Sequence, residues 1–285
     1  MKLGVAGYLP GNWRQIDLQA TQRVRQSGFH GAQLFIDRPL EADRADLEKV
    51  KQAFLNADLE ICQANGWYEA LVNPDDRIRA EGVRGIQALC RIGRFIAAAS
   101  VYVRPGGLNP NGHWYAHPDN HTPETFDHLV GSLKQACRIA ENEGVLLAVE
   151  GHVLSPLDTP QRVRDLIDAV QSPALKFNVD PVNFIGTVKQ VHNNRPVLNE
   201  LFDLLGRESI AAHAKDVVLM DALVVHIQEV IPGTGTLDYP HFMRRFHELQ
   251  PDGYFLIEHL PDPQVLIARE YITKTAVQYG IPLEV

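Results

Sequence analysis

Short apolar runs alternate with longer amphipathic stretches along the whole chain. Eight of these runs have the length, apolar density and flanking turn residues of buried strands. They span Leu3–Tyr8, Gly31–Ile36, Leu59–Asn65, Val101–Arg104, Val145–Glu150, Leu175–Asp180, Ile210–Lys215 and Tyr254–Glu258. The spacing averages about 36 residues per run, which predicts a repeated unit of one strand followed by one helix.

The stretches between the runs carry helical periodicity. Between the fourth and fifth runs, apolar side chains recur on one face at about 3.6 residues per turn, namely Phe126, Leu129, Val130, Leu133, Cys137 and Ala140. Thr122-Pro123, Thr159-Pro160 and Asn73-Pro74 each place proline after an N-cap residue, so each predicts a helix start. Gly28 and Gly144 stand where a helix gives way to a strand, as a left-handed C-cap requires.

Strands separated by helices predict a parallel sheet that is buried on both faces. Eight such units close most naturally into a (β/α)8 TIM barrel of about 250 residues plus insertions. A doubly wound open sheet is the alternative, although the chain has neither a GxGxxG nor a Walker A motif. No linker or low-complexity segment divides the chain, so we predict a single domain over residues 1–285.

Composition and charge narrow the class of function. With 45% hydrophobic and 22% charged residues, the chain is an ordinary soluble globular protein. Its net charge of −8 disfavours nucleic acid as a partner and favours a small molecule. No apolar stretch reaches the roughly 18 residues of a membrane span, and the N-terminus lacks a signal-peptide pattern. Cys62, Cys90 and Cys137 are odd in number and widely spaced, which predicts reduced thiols and a cytoplasmic location.

Candidate chemistry lies at the ends of the last four predicted strands. Each ends in a residue type that ligates metals, in the order Glu150, Asp180, His213 and Glu258. In a barrel these side chains point into the mouth at the C-terminal face, where active sites are built. One histidine and three carboxylates make an oxygen-rich site that suits Mn²⁺, Mg²⁺ or Co²⁺ better than structural zinc. Four unrelated polar strand ends are the alternative, but a common position on four consecutive strands favours a metal site.

The order Glu, Asp, His, Glu on strands five to eight resembles the xylose isomerase-like TIM-barrel superfamily, which includes sugar-phosphate isomerases and epimerases, ketose 3-epimerases, inosose dehydratases and AP endonucleases of the endonuclease IV type. Pro181, Asn183, Asp216 and the stretch Pro232–Phe242 (PGTGTLDYPHF) add to the resemblance, which covers essentially the whole chain. It implies one divalent ion (Mn, Mg, Co or Zn) held by the four strand-end residues. It also implies that Glu150 and Glu258 handle protons.

The resemblance implies an isomerase or epimerase of a sugar, keto-sugar or sugar acid, acting through a metal-stabilised enediolate with Glu150 and Glu258 as acid and base. A metal-dependent lyase or dehydratase on a keto-sugar or cyclitol is the alternative. A binding barrel without catalysis and an AP endonuclease rank lower, since the chain lacks the additional ligands of the trinuclear zinc nucleases. Relatives often form dimers or tetramers, and the sequence leaves the oligomeric state open.

Seven further residues are candidate substrate contacts: His152, Lys215, Arg104, Asn183, Gln63, Asn65 and Trp114. His152 and Lys215 each lie two residues beyond a ligand, on the same side of the strand. Arg104 suggests a carboxylate or phosphate contact, with a rim salt bridge as the alternative. Gln63 and Asn65 would bind hydroxyls, or else bond inside the barrel.

The remaining expectations concern the loops and two departures from the family. Trp114 lies in a long insertion after strand four and would cover a sugar ring, with an exposed loop as the alternative. The connections after strands four, six and seven are expected to be long and to line the site. Asn183 stands where many ketose epimerases have histidine, and Gln33 where many have glutamate. His259 is expected to point away from the pocket.

Overall fold

The computed structural model describes residues 1–285. Its strands are β1 (Lys2–Val5), β2 (Gly31–Ile36), β3 (Glu60–Gly66), β4 (Val101–Val103), β5 (Leu147–Val149), β6 (Leu175–Val179), β7 (Ser209–Ala214), β8 (Asp216–Leu219), β9 (Ile227–Val230) and β10 (Tyr254–Ile257). Its helices are α1 (Leu18–Gln26), α2 (Arg44–Asn56), α3 (Asp76–Ile96), α4 (Pro123–Glu143), α5 (Pro160–Val170), α6 (Val188–His192), α7 (Arg195–Leu205), α8 (Tyr239–Leu249) and α9 (Asp262–Tyr279).

Eight parallel strands close into a barrel in the order β1-β10-β7-β6-β5-β4-β3-β2. The predicted (β/α)8 TIM barrel is therefore confirmed, and every predicted run overlaps one of its strands. β8 and β9 form a separate antiparallel hairpin between β7 and α8. The predicted and observed strand ends differ most at β1. This strand stops at Val5, so residues 6–17 form a connection over the barrel mouth.

Two of the three predicted helix starts are confirmed. Thr122 and Thr159 cap α4 and α5 through their side-chain oxygens. The third prediction, at Asn73-Pro74, is wrong, because α3 begins at Asp76 with Asp75 as its N-cap. The Asn73 side chain instead accepts from the amide of Asp75 at 2.9 Å, so it forms the turn that precedes the helix.

The core lies between the outer face of the barrel and the surrounding helices. A single cluster of 71 buried apolar residues fills this layer, contributed by both strands and helices. All three cysteines are buried and free, as predicted. None of the helices combines the length and the apolar character needed to cross a membrane.

The stretch after the hairpin is fixed by one carboxylate, that of the first residue of β8. Asp216 accepts hydrogen bonds from the amides of Val217 (2.8 Å), Gly233 (2.9 Å), Gly235 (3.0 Å) and Leu237 (2.9 Å). A Cβ on Gly235 would lie 2.3 Å from Asp216 Oδ1, so only glycine allows this approach. The glycine-rich stretch noted in the sequence is thus a backbone clamp beside the barrel mouth.

Candidate functional site

The register of the barrel brings four strand ends to one point. Ala212 of β7 pairs with Val179 of β6, and His213 pairs with Leu256 of β10. The residues that follow these strands therefore meet at the carboxyl end of the barrel. Ligand atoms of Glu150, Asp180, His213 and Glu258 all lie within 4.8 Å of one another. All four side chains are buried.

His213 is the centre of the group. Its Nδ1 lies 3.0 Å from Glu150 Oε1, 3.0 Å from Glu258 Oε1 and 3.9 Å from Asp180 Oδ2. Its Nε2 is buried and has no hydrogen-bond partner. A single ring nitrogen therefore faces three carboxylates, as expected of a ligand in a shared cation site.

Lys215 adds a second cation beside the group. Its Nζ lies 2.7 Å from Asp180 Oδ2 and 2.9 Å from Glu258 Oε1. The approach to Asp180 has ion-pair distance but not hydrogen-bond geometry, and both Asp180 oxygens remain without a hydrogen bond. Buried carboxylate oxygens normally have hydrogen-bond partners, so the two Asp180 oxygens without one mark a place where a cation fits.

The pKa values reflect crowded negative charge in a dry site. Burial, together with Glu150 and Glu258, raises the pKa of Asp180 to about 7, although Lys215 and His213 act against this. Burial alone would lower the pKa of His213, but the two glutamates outweigh it and raise that pKa to about 10. The two glutamates thus hold a proton on the histidine. A divalent ion in this position would replace that proton and leave the imidazole neutral, so the residues present fit such an ion.

Tyr102 and a chain of amides hold Glu150 in place. The Tyr102 hydroxyl donates a hydrogen bond to Glu150 Oε2, and its ring stacks on His213 with centroids 5.8 Å apart. Asn178 donates to Glu150 Oε1 at 3.4 Å, and Gln63 donates to Asn178 at 3.2 Å. Gln33 completes the chain by donating to Gln63 at 2.7 Å.

Above the cluster lies a cavity of about 520 Å³. Glu258 is the one member of the cluster that lines it, so the other three lie deeper in the barrel. The opposite wall contains Tyr102, Arg104, Asn65 and Trp114. A small polar molecule in this cavity would meet Glu258 on one side and Arg104 on the other.

The structure separates the seven predicted substrate contacts into two groups. Arg104, Asn65 and Trp114 line the cavity, and the Trp114 ring lies 5.8 Å from that of His152. Gln63, Asn183, Lys215 and His152 do not line it.

Three of the four residues outside the cavity bond within the barrel. Gln63 is fully buried in the amide chain, which corresponds to the second of its two expected roles, bonding inside the barrel. Asn183 accepts from Lys215 at 3.4 Å and donates to the carbonyl of Gly151 at 3.3 Å. Lys215 is engaged with two ligand carboxylates, so its charge acts on the cluster first.

His152 uses one ring nitrogen internally. Its Nδ1 accepts from the amide of Leu154 at 3.0 Å. Burial and the nearby Lys215 lower the pKa of His152 to about 4, against the opposing effect of Glu150. The imidazole is therefore neutral, and only Nε2 remains for another partner.

Two features of the cavity wall differ from the expectations. His259 lines the cavity rather than pointing away, because a positive φ of 59° turns the chain directly after β10. The connection after β1 contributes Ala6, Gly7, Leu9 and Pro10 to the wall, although only the loops after strands four, six and seven were expected to be long. The apolar residues Ala6 and Tyr8 extend the strand-like pattern past Val5, which hid this loop in the sequence.

Tyr102 was also missed, although the sequence contains a signal for it. In the run VYVR, Val101 and Val103 are the apolar positions of a strand that alternates. Tyr102 and Arg104 must then share the other face, and both line the cavity.

Comparison with known proteins matches one family and several solved structures. The profile of the family described as xylose isomerase-like TIM barrel matches residues 21–279. A 3-keto-D-glucoside 4-epimerase from E. coli has a TM-score of 0.71 at 18% identity, covering 96% of this chain and 99% of its own. A D-tagatose 3-epimerase-like protein has a TM-score of 0.78 at 15% identity, with 98% of both chains covered.

A third solved structure contains a metal. It is a xylose isomerase-like TIM barrel protein from Mycobacterium smegmatis in complex with magnesium, with a TM-score of 0.75 at 17% identity over 99% of this chain and 98% of its own. A search of curated proteins by sequence finds no match. At these identities the structural likeness establishes the fold and leaves the reaction to be argued from the site.

Proposed function

The chain belongs to the xylose isomerase-like TIM-barrel family, and from that premise we propose that it is a divalent-metal-dependent isomerase or epimerase of a sugar, keto-sugar or sugar acid. The observation that carries the proposal is the buried group of Glu150, Asp180, His213 and Glu258 beneath a polar cavity. These four residues would hold the ion. When bound, the ion would polarise a substrate carbonyl and stabilise the negative charge of an enediolate.

Glu258 is the group that we assign to proton abstraction, because it is the carboxylate that lines the cavity. His213 and Lys215 outweigh burial and hold the pKa of Glu258 well below its usual range, so the carboxylate stays ionised. An ionised carboxylate beside a substrate carbonyl can take the proton from the adjacent carbon.

Glu150 is the group that we assign to proton return: it would take up a proton from water before the step and regain one afterwards, while Glu258 releases to water the proton that it has taken. Its Oε2 is held by the Tyr102 hydroxyl and its Oε1 lies beside His213, so its orientation is fixed. A proton delivered to the opposite face of the same carbon gives an epimer. A proton delivered to the neighbouring carbon gives an isomer. In this proposal, the placement of the substrate between the two glutamates decides between the two products.

Proton exchange tests the proposal most directly. We would load the protein with Mn²⁺, incubate it in D₂O with a panel of neutral keto-sugars and keto-sugar acids, and follow deuterium uptake by NMR. Uptake at the carbon next to the carbonyl, together with an isomer or epimer, supports the proposal. A control with excess chelator should remove the exchange.

Two results would overturn the proposal. Water release with a conjugated chromophore assigns the site to the lyase or dehydratase reaction instead. A protein that binds no divalent ion at all, measured by equilibrium dialysis, has no enediolate chemistry of this type.

A further inference from the structure

Arg104 is a buried arginine without an acidic partner. The residue is 5% exposed, and no carboxylate of the protein lies within ion-pair distance of its guanidinium. Its terminal nitrogens donate to the backbone carbonyls of Gly66 at 3.0 Å and Tyr68 at 3.4 Å. Its Nε is buried and has no hydrogen-bond partner. Buried charges in proteins are normally paired, so this side chain lacks an anion.

A second arginine shows what the ordinary arrangement looks like. The Nε of Arg164 also has no hydrogen bond, but its terminal nitrogens lie 2.7 Å from Asp168 and 3.0 Å from Glu208. Its charge is therefore neutralised within the protein. Arg104 has only neutral carbonyl partners. Unlike Arg164, it lines the cavity.

The guanidinium is also held in a fixed position. Its central carbon lies 4.2 Å from the centre of the Tyr68 ring and 4.8 Å from that of Trp67. The aromatic rings and the two carbonyls leave the Nε–H and a second N–H on each terminal nitrogen for a ligand. A fixed fork of N–H donors matches the two oxygens of a carboxylate.

We propose that Arg104 binds a carboxylate of the substrate, so that the substrate is a keto-sugar acid rather than a neutral sugar. The inference rests on the proposed function, which supplies the keto-sugar part. Arg104 is the one lysine or arginine among the fifteen residues that line the cavity, and Glu258 is the one acid. Glu258 is already paired with Lys215, so it does not neutralise Arg104. One guanidinium suits a single carboxylate, whereas a phosphate would call for further donors.

Three ketoses that differ only at carbon six test this assignment. D-Fructuronate carries a carboxylate there, D-fructose a hydroxymethyl group and D-fructose 6-phosphate a phosphate. We would measure their dissociation constants by calorimetry on metal-free and on Mn²⁺-loaded protein. We expect D-fructuronate to bind about 10- to 100-fold more tightly than D-fructose in both forms, because a charge-assisted pair is gained. Equal binding of all three, or tightest binding of the phosphate, overturns the assignment.

Substitution then locates the effect. In Arg104→Met we expect the affinity for D-fructuronate to fall to that for D-fructose, while Arg38→Met, at an exposed arginine paired with Glu41, leaves both unchanged. If Arg104→Met does not fold, Arg104→Lys keeps the charge without the fork and should lose part of the preference. A preference for D-fructuronate that stays at the wild-type value in the variant that folds overturns the role of Arg104.

The outcomes also separate the two proposals. Arg104-dependent binding of D-fructuronate without proton exchange on any keto-sugar supports the carboxylate site and rejects the proposed reaction. Exchange on neutral ketoses with no preference for the acid supports the reaction and rejects the carboxylate site.

Discussion

Two tyrosine–glutamate pairs lie at opposite ends of the barrel and differ in almost every other respect. At the base, the Tyr254 hydroxyl donates to Glu60, and Lys2 donates to both oxygens of the same carboxylate at 2.9 and 3.0 Å. His30 lies 3.1 Å away, and about half of the Glu60 side chain is exposed. Every charge of this cluster has a charged or hydrogen-bonding partner and is partly exposed to solvent.

At the mouth, Tyr102 donates to Glu150 in the same way, but the surroundings are dry and incomplete. Glu150, Asp180 and Glu258 are buried against only His213 and Lys215. Both Asp180 oxygens lack hydrogen bonds. Buried and unpaired charge destabilises a fold. The base therefore stabilises the barrel as it stands, whereas the mouth is arranged for a cation and a substrate.

The largest expected effect is that of a metal ion on the mouth. We expect one equivalent of Mn²⁺ per chain and, at about 100 times the dissociation constant, an increase in Tm of about 5–10 °C, because the ion binds the folded state alone. Asp180→Asn should abolish both effects. Glu60→Gln, at the base, should bind the ion as the wild type does. Calorimetry and thermal unfolding measure both quantities, and an equal Tm increase in Asp180→Asn would contradict the site.

Substitution of Glu258 should have the second-largest effect. In Glu258→Gln we expect deuterium exchange into the substrate to fall by about 10²–10⁴-fold, because the carboxylate that takes the proton is gone. Glu60→Gln is the matched control, since it makes the same chemical change at the other end of the barrel and should remain within about twofold of the wild type. Similar losses in both variants would indicate damage to the fold rather than to the site.

A matched pair of tyrosine substitutions gives a smaller and more specific effect. Tyr102 is a positioning residue in this view, because it acts through Glu150. Tyr102→Phe should lower kcat by about 10-fold while KM changes little, since an orienting hydrogen bond is lost and the pocket keeps its shape. The alkaline limb of the pH–kcat profile, where Glu150 loses the proton that it returns, should also move upward, because a hydrogen bond to the charged form of Glu150 lowers its pKa.

Tyr254→Phe is the control for that substitution. It removes the hydroxyl that donates to Glu60 and should change stability without moving the pH profile. If both variants lower kcat equally, or if Tyr102→Phe leaves the pH profile in place, Tyr102 has only a structural role.

The sequence predicted the mouth of the barrel better than it predicted the wall of the cavity. Glu150, Asp180 and Glu258 directly follow apolar strands and His213 lies near the end of one, and a closed parallel barrel must bring such positions together. Hydrophobic periodicity therefore suffices to predict the cluster.

The wall of the cavity depends on backbone turns and side-chain contacts that leave no periodic pattern in the sequence. The turn at His259 depends on a positive φ, which the residue type does not indicate. Whether Gln63 reaches the cavity depends on its partners Gln33 and Asn178, which come from other strands. Partners of this kind become visible only when the register is known.

The smallest expected effect concerns the pH dependence of the base. Partial burial raises the pKa of Glu60, but hydrogen bonds from Tyr254, Lys2 and His30 outweigh it and bring the pKa to about 2, from an ordinary value of 4.5. A carboxylate whose pKa is lower in the folded state stabilises the protein above the ordinary value and loses this contribution as the pH falls toward 2. Because the side chain is half exposed, we expect only about 1 kcal/mol from it at pH 7.

Urea unfolding of the wild type and of Glu60→Gln, at pH 7 and at pH 3.5, measures this contribution. The difference in unfolding free energy between the two proteins should shrink at the lower pH, because protons begin to occupy Glu60 in the unfolded chain. Glu200→Gln is a suitable comparison, since that carboxylate is exposed on α7 and forms neither a side-chain hydrogen bond nor an ion pair. A difference that stays constant between the two pH values would mean that Glu60 stabilises the base by packing, and the contrast with Glu150 would then rest on the surroundings of the mouth alone.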